Sequence, residues 1–113
     1  MPTFEQGDVV RVPFPYTNRE TTQHRPALVI SDGPIASGML LWILMITSVA
    51  NRGWPGDVGI ESGSERTGLP APSMIRTAKI ATIEAAAAQR IGSIAQSELD
   101  AVMEELSKIL PLR

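Results

Sequence analysis

The hydrophobic pattern changes period about two-thirds of the way along the chain. Up to residue 83, apolar residues alternate with polar ones or form brief solid blocks. From residue 96 they recur at helical spacing. In residues 8–14, Val10, Val12 and Phe14 alternate with Val9, Arg11 and Pro13, the signature of a half-buried strand. Pro13 and Pro15 end regular pairing there or place it at a sheet edge. Residues 16–24 are polar and read as a loop. A second strand is expected over 27–31, entered through Arg25-Pro26, where the proline keeps Arg25 extended. Residues 32–34 form a turn. Residues 39–47 are apolar almost throughout, which predicts a central strand covered on both faces, with Trp42 in the core. A second loop follows over 48–56, a short strand over 57–60 and a third loop over 61–72. Residues 73–83 alternate again, with Met74, Arg76, Ala78, Ile80 and Thr82 on one side. Residues 85–88 suit one helical turn.

The last element is a helix over about residues 96–110. Leu99, Val102, Met103, Leu106, Ile109 and Leu110 make its apolar stripe, and Glu98, Asp100, Glu104, Glu105 and Lys108 its wet side. Two capping boxes fit its start, Ser93 with Gln96 and Ser97 with Asp100. Eight of nine glycines and eight of nine prolines lie between Pro2 and Pro72, so short strands and turns belong to the first two-thirds. The pattern therefore predicts a mainly β fold: a strongly bent sheet or barrel of five to seven strands over residues 1–94, closed by the C-terminal helix. A chain of 113 residues makes this one domain, 1–113.

Composition narrows the chemistry. Hydrophobic residues are 43% and charged residues 19%, against a disordered chain. The absence of cysteine excludes a disulfide framework, a thiolate metal site and a cysteine nucleophile. The longest apolar run, 39–46, falls far short of the ~20 residues that span a bilayer. The acidic N-terminal stretch lacks the apolar segment of an export signal, so a cytoplasmic protein away from membranes is expected. A net charge of −2 argues against coating nucleic acid by charge alone. Its distribution changes that picture. Residues 1–83 hold seven acids and seven bases, and the acidic excess sits in 84–113 with the helix. Eight of the ten basic residues are arginines, the side chain suited to forked recognition of phosphate.

Familiar catalytic spacings are absent, and the one histidine, His24, cannot by itself build a triad or a histidine metal site. The candidates are polar residues at strand ends and in loops, where sites are usually built. They are Thr17, Arg19, His24 and Arg25, then Thr47 and Ser48, then Asn51, Arg52 and Trp54, then Arg66 and Arg76. Each has an ordinary alternative. Arg25 suits a surface ion pair, Thr47 and Ser48 are common strand-end hydroxyls, and Trp54 suits a loop anchor as well as a base-stacking platform. Arg76, between Ile75 and Thr77, needs a partner or a solvent-filled cleft.

Several segments, in order, resemble the MazF/PemK family of toxins from bacterial toxin–antitoxin pairs. They are residues 7–15 (GDVVRVPFP), 25–31 (RPALVIS), 46–48 (ITS), 54–58 (WPGDV), 68–73 (GLPAPS), 75–79 (IRTAK) and 90–92 (RIG). The resemblance implies an SH3-like β-barrel with a C-terminal helix, acting as a homodimer. It implies cofactor-free and metal-independent cleavage of single-stranded RNA to 2′,3′-cyclic phosphate and 5′-hydroxyl ends. It also implies a cognate antitoxin, with DNA binding by the complex. Arg25, Thr47 and Arg76 match the family's catalytic positions. Thr17, Arg19, His24, Ser48, Asn51, Arg52, Trp54 and Arg66 would then contact RNA. Two positions depart: Ala95 stands where relatives often carry a capping serine, and Ala78 stands where some relatives carry an aspartate base. Ala78 leaves His24 as the alternative base, and a catalytically inactive, RNA- or antitoxin-binding barrel as an alternative function. A gyrase poison of the related CcdB type is a further alternative. Those toxins use a tryptophan at the end of the last helix, where this chain reads Leu-Pro-Leu-Arg.

Overall fold

Three polar residues that read as loop, 22–24, turn out to belong to a strand, and this decides the geometry of the region. A computed structural model describes residues 3–15 and 22–110, with the side chains of residues 14, 15, 22 and 23 outside the description. Strand β1 (Asp8–Pro15) pairs antiparallel with β2 (Thr22–Val29) from Val9 opposite Leu28 to Pro15 opposite Thr22. Backbone pairing to a long neighbour does not require apolar side chains. The second strand therefore begins five residues before the expected 27 and stops at Val29. The loop expectation for residues 16–21 lies outside the described residues, as does the inward-facing role of the Phe14 side chain.

The other strands are β3 (Leu40–Ser48), β4 (Asp57–Gly59), β5 (Ser73–Glu84) and β6 (Gln89–Ser93). They join β1 and β2 in one antiparallel sheet of order β4-β5-β3-β2-β1-β6. The six strands among the described residues fall within the expected five to seven, and β3 is central. The sheet is not closed: β4 and β6 are its two edges and do not pair with each other. β6 had no counterpart in the sequence pattern, because its five residues are mostly polar and include Gly92. It covers β1 only from Asp8 to Arg11, so Pro13 and Pro15 stand at an open edge that has no use for their missing N–H groups. The third loop contains a single helical turn, α1 (Ser64–Thr67). A 3-10 turn over Ala85–Ala87 confirms the expected helical turn.

Each face of the sheet carries its own apolar cluster. Helix α2 (Gln96–Ile109) lays Leu99, Val102 and Leu106 over Val9, Leu28, Ile30, Leu44, Ile46 and Ile75. The other face gathers Val10, Val12, Ala27, Val29, Leu41 and Ile43, with Phe4 and Ala85 packed against it. Four sequence expectations are corrected here. Trp42 is 47% exposed instead of buried. It shares the helix-covered face with Leu44 and Ile46, but it lies in a groove with Ile80 and Leu110 that α2 does not fill. Glu98 is buried instead of wet, because it caps the helix. Neither expected capping box forms. The N-cap is Ala95, whose N–H donates to Glu98 Oε1 at 2.9 Å. Finally, β5 does not alternate throughout. Leu44 faces Ile80 while its neighbour Met45 faces Arg76, so Thr77, Ala78 and Lys79 form a bulge. Three extra residues are an odd number, and this turns Arg76 and Ile80 to opposite faces.

Candidate functional site

The register sets the site. Ala27 on β2 lies opposite Met45 on β3, and Met45 lies opposite Arg76 on β5. Arg76 in turn faces Asp57 on β4. Residues directly opposite each other share a face, and so do residues two apart on one strand. Arg25, Thr47, Arg76 and Asp57 therefore lie on one face, at the end of the second apolar cluster. The β2–β3 ladder stops at Ala27–Met45, and Pro26 has no N–H with which to extend it. Continuing that register by two residues brings Arg25 level with Thr47. Both are half-buried, at a mouth where two strands have stopped pairing.

Thr47 is oriented by the loop that follows it. Asn51 Nδ2 donates to Thr47 Oγ1 at 2.6 Å. A hydroxyl that accepts this bond keeps its own proton to donate elsewhere. The loop is folded on itself: Ala50 N donates to Ser48 Oγ at 3.1 Å, and Asn51 N to Ser48 O. Val49 N reaches across to Pro72 O.

The far end of the loop is fastened to Arg76, which is only 5% exposed. Its Nη2 donates to Arg52 O at 2.6 Å, and its Nη1 lies 3.8 Å from Asp57 Oδ2, within ion-pair range but beyond a hydrogen bond. The indole of Trp54 covers the guanidinium, with Cζ 4.0 Å from the ring centroid. Lys79 Nζ stands 5.9 Å from the same ring. Asp57 Oδ2 also accepts the Trp54 N–H at 2.8 Å, and Asp57 N donates back to Trp54 O. Thr77 Oγ1 donates to Gly56 O at 2.7 Å. Sequence reading missed Asp57. The available signal was its place three residues after Trp54 in a Pro-Gly turn, where a carboxylate readily accepts a backbone N–H.

The remaining candidates are distributed as follows. Ser48 ends β3 beside Thr47, and Asn51, Arg52 and Trp54, all exposed, belong to the loop that follows. His24 is exposed next to Arg25, and strand alternation turns it to the opposite face. Arg66 lies apart, on α1, where its Nη2 donates to Ile94 O at 3.1 Å. Thr17 and Arg19 lie outside the described residues. Ala78 is exposed in the β5 bulge, so the carboxylate that faces Arg76 is Asp57. Among the described residues, no three histidine or acidic side chains converge to hold a metal. Among those same residues, no helix is long and apolar enough to cross a membrane.

The family model for PemK-like, MazF-like toxins of type II toxin–antitoxin systems matches residues 5–110. No curated protein matches the chain. Solved structures match over nearly their whole length. An endoribonuclease in complex with its cognate antitoxin from a mycobacterial species superposes with a TM-score of 0.74 at 16% identity, covering 98% of both chains. MazF from Deinococcus radiodurans gives a TM-score of 0.74 at 19% identity, covering 99% of this chain and 100% of that one. A MazE–MazF complex from the same organism gives 0.73 at 18% identity, covering 96% and 97%.

Proposed function

Since the chain belongs to the PemK-like, MazF-like toxin family of type II toxin–antitoxin systems, we propose that it is an endoribonuclease that cuts single-stranded RNA, with Arg25 and Thr47 on the scissile phosphate. The reading takes residues 1–113 as one toxin domain that acts as a homodimer and is silenced by a cognate antitoxin. Relatives of the same fold are described as an endoribonuclease and as MazE–MazF complexes, which supports both halves of the reading. The observation that carries it is the open mouth between β2 and β3. There a forked cation and a hydroxyl whose oxygen is already occupied by Asn51 share one face.

The chemistry suits that pair. In cleavage to a 2′,3′-cyclic phosphate, the 2′-hydroxyl gives up its proton as its oxygen attacks phosphorus, the bond to the 5′-oxygen breaks and that oxygen takes up a proton to leave as a hydroxyl, and charge builds on the non-bridging oxygens. The Arg25 guanidinium can engage two of those oxygens together. The Thr47 hydroxyl, held as a donor by Asn51, supplies a neutral hydrogen bond to the same group. Neither residue requires a metal ion for this role.

The test incubates the purified protein with mixed single-stranded RNA in EDTA and maps the ends. Cleavage leaving 5′-hydroxyl ends is expected. Arg25→Ala and Thr47→Ala should each lose about 100-fold or more in rate, the scale of removing one donor to a developing oxyanion. Absence of cleavage by the wild type, or unchanged cleavage by Arg25→Ala, would falsify the reading. RNA binding without cleavage would establish the catalytically inactive, RNA-binding alternative in its place.

A further inference from the structure

We infer that Arg76 is a positioning residue: it fixes the 48–56 loop so that Asn51 holds Thr47, and it does not exchange a proton with the substrate. This rests on the proposed role of Thr47 and deepens it. Each contact described for the Arg76 guanidinium goes to one short segment. It donates to the Arg52 carbonyl, lies beneath the Trp54 ring and faces Asp57, whose carboxylate also holds the Trp54 N–H. Arg52 directly follows Asn51. The carbonyl that Arg76 holds is therefore the next one along from the residue whose amide bonds Thr47 Oγ1 at 2.6 Å. A chain of short contacts thus runs from Arg76 through Arg52 and Asn51 to the Thr47 hydroxyl.

A proton donor must reach the leaving oxygen, but Arg76 is 5% exposed and covered by an indole. A rigid planar cation that stacks on a ring while donating to a carbonyl is, by contrast, well suited to bracing a loop. Trp54 then shields this brace from water and is not required as a stacking platform for a base.

The experiment compares two RNA substrates, one natural and one with sulfur in place of the bridging 5′-oxygen at the cut. A thiolate leaves without being protonated, so a missing proton donor costs nothing on the sulfur substrate. Arg76→Lys is expected to slow both substrates equally, on the order of 10–100-fold, as a misplaced Thr47 should. Asn51→Ala, at an exposed position, should show a similar loss, and the double variant should be no slower than the slower single one. In a Trp42→Phe background, Arg76→Lys should also raise iodide quenching of Trp54 as the loop loosens. Full recovery of Arg76→Lys on the sulfur substrate, independent addition of the two losses, or unchanged quenching would each overturn the inference. A wild type that cuts neither substrate would instead remove the reading of Thr47 on which the inference rests. The quenching result would still decide whether Arg76 braces the loop.

Discussion

Arg25 and Gly92 illustrate two kinds of single-residue constraint, one chemical and one steric. Arg25 is proposed to grip a phosphate with a fork, so a point charge should serve poorly. Arg25→Lys is expected to retain RNA binding and lose on the order of 100-fold in cleavage rate, measured by single-turnover kinetics. Gly92 lies where β6 passes α1. A Cβ there would stand 2.4 Å from the Arg66 carbonyl oxygen and from the Thr67 carbonyl. These neighbours are backbone and cannot turn aside. Gly92→Ala should therefore destabilise the protein by about 1–3 kcal/mol in urea unfolding. Gly59→Ala, which meets nothing within 4 Å, serves as the control. Arg25 and Thr47 were legible as candidates because each borders a polar stretch of the sequence and matches a catalytic position of the family it resembles. Asp57 was not, because its importance comes from Arg76, which reaches it across a strand pair.

At the scale of elements, helix α2 and the loop before α1 are joined by one carboxylate. Glu98 is 8% exposed. It accepts from Ser62 Oγ at 2.6 Å, from the N–H groups of Glu61 and Ser62 at 2.6 and 3.0 Å, and from Ala95 N at 2.9 Å. Burial pushes its carboxyl pKa up, but the bonds from Ser62, Ala95 and Glu61 together outweigh burial and hold it below the ordinary value. The stabilisation is therefore complete above the ordinary carboxylate range and is lost as falling pH protonates Glu98. Glu98→Gln should cost about 1–3 kcal/mol near pH 7. That gap should narrow below pH 4.5 in denaturant titrations at stepped pH. Leu99, Val102 and Leu106 of the α2 stripe were readable from spacing alone, whereas Ile109 and Leu110, expected in the same stripe, stay exposed. Burial of Glu98 was not readable, because its partners at Glu61 and Ser62 are 37 and 36 residues away.

At the scale of the whole molecule, charge is segregated by element. The first 83 residues are neutral, and the acidic excess lies with the C-terminal helix. RNA held by a mouth with few cations should release few counterions. Two or three phosphate contacts predict a slope of about −1.4 to −2.1 for log affinity against log salt on single strands. Titrations of the Thr47→Ala protein at stepped salt would measure it, and a slope several times steeper would show that a far larger basic surface engages the RNA.

Length, hydrophobic period and punctuation by themselves determined a mainly β chain ending in an amphipathic helix. They did so because these signals depend on residues close in sequence. The central strand 39–47, the single turn near 85 and the helix from 96 all belong to this class. Four features were decided only by the tertiary structure. These are the polar start of β2, the existence of β6, the exposure of Trp42 and the bulge that parts Arg76 from Ile80. Each depends on what a distant strand or helix does: whether it supplies a ladder, covers a side chain or shifts a register. The site has the same origin, because Arg25, Thr47, Asp57 and Arg76 come from four strands and meet on one face only through the register of the sheet.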